Sequence, residues 1–460
     1  MFAIPGIVCL ILFILVRPQE FILPLQRVPF LHLFTGLAIL GWVIDVRLRR
    51  LQPVSVPTLP LVVAFLAWAI IGTAVNAPEQ LLGRGVELGI LFALYAVIAH
   101  GVQKFRTFQI VAGTVVSACL LITVVCFHQG IADKQCIAGQ EGSDVAIIGT
   151  PDGRSCAMAA ECLGPDAEPG KEYRCERVGV FGTYSIESRV RYRGELHDPN
   201  EVALTITAGA LSLLIAFAMR RRTALGIAFC VVGVVLVVLT ILMTQSRGGF
   251  VSAMLVPGVY LIRRYGLWAV VPAAAAGGAV VLLGGRGGMS ADASTELRYE
   301  AWATGLTMFK EQPIFGVGAG RFVEHHFLTA HNSFVLTLAE LGFVGMFLFS
   351  SILYLSMKTL VVGLRDLQHA PGSAAVQVWG MALLASLSGI LFQINTLSFA
   401  YHSVLWLFLG LVGAWYSAIR HHVPAFRVRF GWKDVVLVGV GCVTYAFVLL
   451  PMFLRYKGMI

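Results

Sequence analysis

The chain has 460 residues, is 57% hydrophobic and 13% charged, and has a mean hydropathy of +0.80. Soluble domains average roughly 25% charged residues, so a water-soluble globular fold is excluded. The net charge of +9 would suggest a nucleic-acid partner in a soluble protein; in a membrane protein the excess has a simpler source, because cytoplasmic loops collect Lys and Arg, and no nucleic acid is expected.

The apolar segments are continuous runs rather than alternations of about ten residues, which excludes a β-barrel. Runs long enough to cross a bilayer as helices fall near 3–16, 29–46, 57–75, 82–99, 107–128, 199–219, 223–243, 248–263, 267–284, 331–356, 376–394, 402–420 and 434–454. This predicts an all-α polytopic membrane protein with about 12–13 transmembrane helices. The first run has no basic leader and no A-x-A-like cleavage site, and reads as an uncleaved span. The chain then divides into N-terminal helices (1–128), a loop (129–198), central helices (199–284), a second loop segment (285–330) and C-terminal helices (331–460).

Orientation follows from the basic residues. Arg47, Arg49 and Arg50 follow the second span, Lys104 and Arg106 precede the fifth, and Arg220, Arg221 and Arg222 follow the sixth. Arg263 and Arg264 follow the eighth, Lys358 and Arg365 the tenth, and Arg420, Arg427, Arg429 and Lys433 precede the last. With alternating spans these fall on one side, which assigns that side to the cytoplasm. The segments 129–198 and 285–330 are then external. The first is rich in Gly, Asp and Glu and reads as an irregular surface loop, ordered towards the 190s where it feeds a span.

Cys136, Cys156, Cys162 and Cys175 all lie in that first loop. An even cluster of cysteines suits an oxidising compartment and disulfides, with three pairings open. Zinc is the rival ligand, but spacings of 20, 6 and 13 residues match no zinc motif.

Charges at the outer edge are the candidates for chemistry. Arg189, Arg191 and Arg193 alternate, so an extended chain would place them on one face. Guanidinium forks suit phosphate, although lipid-headgroup anchoring would use the same pattern. Asp198-Pro199-Asn200 reads as a helix start. Gln245-Ser246-Arg247-Gly248-Gly249 separates two span ends, and Arg247 there must meet an anion, a carbonyl or water. His331, at the outer start of the tenth span, is the side chain suited to proton transfer near neutral pH. Asn332 and Ser333 beside it are also potential caps. Glu340 lies about 13 Å further along a helix, too far to orient His331. Arg84 and Glu87 read as an intrahelical pair, and Glu20 falls on the outer side. Gly316-Val-Gly-Ala-Gly320 lacks the Lys-Ser/Thr of a nucleotide loop. Glu324, His325, His326 and His331 lack metal-ligand spacing, so no metal is expected.

In order and context these elements resemble the O-antigen ligase and polymerase superfamily of bacterial envelope enzymes. Ser246-Arg247-Gly248-Gly249 is similar to its S-R-G element. Arg298 with Trp302, then Pro313-Ile-Phe-Gly316-Val-Gly318, is similar to its R…P-x-x-G-x-G segment. His331-Asn332, with Leu338-Ala-Glu340-Leu-Gly342, is similar to its H-N…E-x-G segment. Arg191 and Asp198-Pro199-Asn200 match the region before its central span. The resemblance covers about 190 to 345.

The resemblance implies a GT-C-like glycosyltransferase in the bacterial inner membrane with a large periplasmic loop and a periplasmic active site. The donor would be a glycan on undecaprenyl diphosphate and the acceptor a sugar hydroxyl of lipid A–core. No cofactor is implied, because the diphosphate bond is already activated. Arg191, with Arg247 and Arg193 or Arg189, would hold the diphosphate. His331 would be the general base, and Arg298 and Asn332 would contact substrate. An O-antigen polymerase, a protein O-glycosylation ligase and, in a different class, a transporter of lipid-linked sugars are the alternatives.

Overall fold

The computed structural model describes residues 1–52, 54–140, 149–165, 167–220, 223–266, 268 and 289–460. Its helices are α1 (Ala3–Leu15), α2 (Phe30–Arg47), α3 (Leu59–Asn76), α4 (Leu81–Gly101), α5 (Phe105–Ile131), α6 (Pro199–Arg220), α7 (Ala224–Thr244), α8 (Arg247–Tyr265), α9 (Met289–Glu311), α10 (Ser333–Asp366), α11 (Ala374–Gln393), α12 (Ser403–His422) and α13 (Trp432–Tyr456). Among the described residues ten helices, α2–α7 and α10–α13, are long and apolar enough to cross a membrane. The chain is an all-α polytopic membrane protein in its spanning part. Against the expected 12–13, α1 has only 13 residues. α8 carries Arg247 at one end and Arg263 and Arg264 at the other, which makes it less apolar. Apart from Trp268, the expected span 267–284 lies outside the described residues.

The helix starts are written locally. Asp198 and Glu201 form a capping box at the head of α6, with Pro199 in the first turn. The Thr223 hydroxyl accepts from Gly226 N at 3.3 Å before α7, and the Ser246 hydroxyl from Gly249 N at 3.0 Å before α8. Within α6, Thr207–Leu211 forms a turn of π-helix.

The chain forms two compact units. The first comprises Met1–Ile11, Phe30–Thr114 and Arg286–Ile460; the second comprises Leu12–Pro29 and Val115–Gly285. In the first, α4 packs on α12, and α10 packs against α3, α9, α11 and α13. Its largest buried side chains include Trp379, Trp406 and Trp415. The indoles of Trp406 and Trp415 donate to Ala400 O and Val376 O, each at 2.9 Å or less, so burial leaves those N–H groups satisfied. In the second unit α6, α7 and α8 pack together. Gly249 permits the close approach of α8 to α6: an added Cβ would lie 2.5 Å from Ala203 Cβ.

The first loop is not irregular throughout. Strands β1 (Lys134–Gln140), β2 (Thr150–Ser155) and β3 (Lys171–Arg177) form an antiparallel sheet in the order β2-β1-β3. Disulfides join Cys136 to Cys162 and Cys156 to Cys175. Cys136 and Cys175 face each other across β1 and β3, yet each bonds to a cysteine outside those strands. The bridges enclose loops separated by 26 and 19 residues, each worth roughly 3 kcal/mol by the chain-entropy model. The sulfurs of Cys136, Cys156 and Cys162 lie within 4.8 Å of one another because the two bridges are neighbours. Apolar burial contributes little: Ile137 and Tyr184, with Val178 against them, make a small cluster.

Candidate active site

In the second unit, β3 leads into the arginine segment through a tight turn. Glu187 and Ser188 both have positive φ, 51° and 63°, and Ile186 pairs with Arg189 across them. The Glu176 carboxylate, on β3, accepts from Glu187 N at 2.6 Å, from Ser188 N at 3.0 Å and from the Ser185 hydroxyl. One buried carboxylate therefore satisfies three donors of the turn.

Beyond the turn the chain is extended and Arg191 is held from several directions. Gln129, wholly buried near the end of α5, accepts from Arg191 N at 2.9 Å and donates to Arg191 O at 3.3 Å. Arg191 Nε donates to Tyr184 O at 3.0 Å. Its guanidinium lies 4.7 Å from the Tyr184 ring centroid, a cation–π contact. Burial pushes the Tyr184 phenol up, with Arg191 pulling against it, so the ring is neutral at physiological pH. Arg191 itself is 5% exposed. A group so desolvated calls for anionic partners.

Arg191 and Arg193 line a cavity of about 290 Å³ together with Glu20, Gly182, Thr183, Tyr184, Tyr192, Gly194 and His197. Arg193 donates through Nη2 to Phe181 O, and its Nε is buried without a hydrogen-bond partner among the described residues. Arg189 does not share that face. It donates to Thr244 O at 2.9 Å and to Asn200 Oδ1 at 3.3 Å. The alternation expectation fails there because Arg189 belongs to the turn and the extended run begins after it. Arg189 thereby caps α7, three residues before Arg247. Arg247 is exposed in the first turn of α8, after the left-handed Gln245. The four arginines thus belong to one unit, with Arg191 and Arg193 in the cavity and Arg189 beside the Ser246-Arg247-Gly248 turn.

His331, Asn332 and Arg298 belong to the first unit. His331 is half-buried with φ 45°; His is one of the few side-chain types enriched in that region. Both neighbours are tied down. The Trp302 indole on α9 donates to Ala330 O at 2.8 Å. Asn332 Oδ1 accepts from Phe334 N at 2.9 Å and Val335 N at 3.1 Å, capping α10, while Asn332 Nδ2 donates to Tyr445 OH at 3.1 Å. The Ser333 hydroxyl donates to Leu397 O and accepts from Phe399 N. Arg298 is half-buried on α9, one turn before Trp302.

Glu340 is spent elsewhere in the same unit. Its buried carboxylate accepts from Gly320 N at 2.8 Å and Phe322 N at 3.0 Å. α10 breaks at Gly342, with φ 66° and ψ −167°, and the loop around Gly316 fits into the break. Val317 N and Gly318 N donate to Ala339 O and Glu340 O, Phe343 N to Pro313 O, and the Trp68 indole to Leu341 O. A Cβ on Gly342 would fall 2.2 Å from Ile314 O, and one on Gly316 2.3 Å from Glu340 C. The P-x-x-G-x-G and E-x-G elements are therefore two halves of one packing device, not a phosphate loop. Arg84 pairs with Glu87 at 2.7 Å and also donates to Gly320 O at 3.3 Å.

Gln129, Tyr184 and His197 were not singled out from sequence. An amide in the apolar helix α5 was the signal available for Gln129, since polar groups at such positions are costly unless used. Tyr184 and His197 carry no such mark.

No curated protein matches the chain. Residues 202–350 match the family model described as O-antigen ligase. The match includes Arg247, Arg298, His331, Asn332 and Glu340, and begins after the Arg191 segment. Over that stretch, about a third of the chain, this multi-pass membrane protein is similar to the O-antigen ligase family.

Proposed function

We propose that the chain transfers an O-antigen-type glycan from undecaprenyl diphosphate to a sugar hydroxyl of lipid A–core at the periplasmic face of the inner membrane. The family match supports ligase or polymerase chemistry. The observation that carries the donor assignment is the cavity holding buried Arg191 beside Arg193 with its unpartnered Nε.

In this reading the acceptor hydroxyl oxygen attacks the anomeric carbon as the bond from that carbon to the phosphate oxygen breaks. The electron pair leaves with undecaprenyl diphosphate, whose charge Arg191 and Arg193 hold, with Arg247 assisting. The hydroxyl proton goes to a neutral imidazole nitrogen of His331. Attack opposite the leaving group inverts the anomeric centre. Asn332 fixes the backbone at His331, and Arg298 contacts the glycan. Fixed guanidinium groups supply the charge neutralisation, so the reaction proceeds without a divalent metal.

In vitro transfer with defined donor and acceptor lipids, with and without chelator, tests this. Glycan should appear on lipid A–core at equal rate in both. Polymer growth from the donor alone would replace the ligase reading by a polymerase. Transfer to a pilin-like protein would replace it by a protein ligase. Lipid movement without a new glycosidic bond would replace it by a transporter.

A further inference from the structure

Phe181 adopts a backbone conformation that bulky residues rarely tolerate: φ is 57° and ψ 23°. Its carbonyl accepts from Arg193, and its ring is 48% exposed. That ring stacks on Phe21, with centroids 4.7 Å apart and planes inclined by 26°. Glu20, next to Phe21, and Gly182, next to Phe181, both line the cavity of Arg191 and Arg193. The Glu20 carboxylate pairs with Arg17 at 3.1 Å. The cavity therefore adjoins a stacked aromatic pair with a carboxylate at its edge. Strain and an exposed aromatic ring both oppose stability, and strain of this kind persists where it serves a site.

We propose that Phe21 and Phe181 form the platform for the first sugar of the lipid-linked donor, with Glu20 accepting hydrogen bonds from its hydroxyls. This rests on the reading of the cavity as the diphosphate site. A pyranose ring has a C–H face and a hydroxyl rim. The C–H face suits the electron-rich face of an aromatic ring, and the rim suits a carboxylate acceptor. The sugar is bonded directly to the diphosphate, so its platform must adjoin the phosphate cavity, as this pair does. An isoprenoid chain fits less well, because it would desolvate the Glu20–Arg17 pair without offering any polar partner.

The test compares the donor KM with the Ki of undecaprenyl diphosphate that carries no sugar. Phe181→Gly removes the ring and suits the left-handed backbone, so the turn is retained; Phe21→Ala is the second variant. Phe181→Leu keeps apolar bulk without a flat face. Each should raise the donor KM by roughly 3- to 10-fold, the usual worth of an aromatic contact, and leave that Ki unchanged. Equal shifts in KM and Ki would assign the rings to the isoprenoid or the diphosphate and overturn the proposal, as would no shift in either. Arg191→Ala separates the two readings. If it leaves the Ki unchanged, the diphosphate site is wrong. If it raises the Ki while the phenylalanine variants leave KM alone, only the platform is wrong.

Discussion

Arg191 is useful to a leaving group only if it is already in place when charge develops, because reorganising a long side chain at that moment would return the benefit. The backbone of Arg191 is read on both sides by Gln129, and its Nε is fixed on Tyr184. Arg191→Ala should therefore raise the donor KM strongly. Arg191→Lys should recover little, since a planar fork is replaced by a point charge. Full activity in the Lys variant would reduce the requirement to charge alone. Gln129 is predicted to act through Arg191. Gln129→Met keeps the volume, removes both hydrogen bonds and should raise the donor KM by roughly tenfold, the worth of one or two neutral hydrogen bonds. A purely structural role would lower the active fraction, and hence kcat, with KM unmoved. For His331 the split is reversed. His331→Ala should lower kcat by about 10² to 10⁴ while donor binding persists, and retained kcat would remove it as the base.

Two elements stabilise their surroundings in different ways. The break in α10 is a steric device. Gly342 occupies a region that is essentially glycine-only, and its Cα faces the Ile314 carbonyl. Gly342→Ala should cost roughly 1–3 kcal/mol from backbone strain, with the clash added. It should be seen as a lower unfolding midpoint in detergent, and an unchanged midpoint would refute the account. The sheet is a covalent device. Replacing Cys156 and Cys175 by Ser should remove roughly 3 kcal/mol and open 134–177 to protease before the helices unfold. The same contrast explains what was legible in the sequence. Continuous apolar runs mark helices because a membrane rewards them residue by residue. In β2 nearly every residue is exposed, so no apolar alternation marks it, and the disulfides around the sheet join cysteines far apart in the chain. The resemblance drew attention to Gly316, Glu340 and Gly342, but their joint role depends on a helix break that periodicity does not reveal. Arg191 was legible as a charge, whereas its cavity was not, because it closes only where Glu20 meets the 182–197 stretch, far away in the chain.

Across the whole molecule, the basic residues bear on sidedness in a way the helix dipole does not imitate. Cations are favoured at helix C-termini generally, yet Arg or Lys appears in the last turn of α2, α6, α8 and α10, with α13 as an exception to the alternation, and in none of α3, α7 or α11. Arg106 and Lys433 even sit in the first turns of α5 and α13, where the dipole opposes them. Dipole stabilisation would treat every C-terminus alike, so the alternation is a topological signal. It places Arg191 and His331 on the same side only if the chain crosses the membrane an odd number of times between α8 and α10, which is the work assigned to 267–284. Reporter enzymes active only outside the cytoplasm provide the test. A fusion after Gly266 should be silent, one before Met289 active, and one in 149–165 active. If the fusions after Gly266 and before Met289 report the same side, 267–284 does not cross. α10 to α13 would then be inverted, His331 would face the cytoplasm, and a base on that side could not serve a donor held by Arg191 on the other.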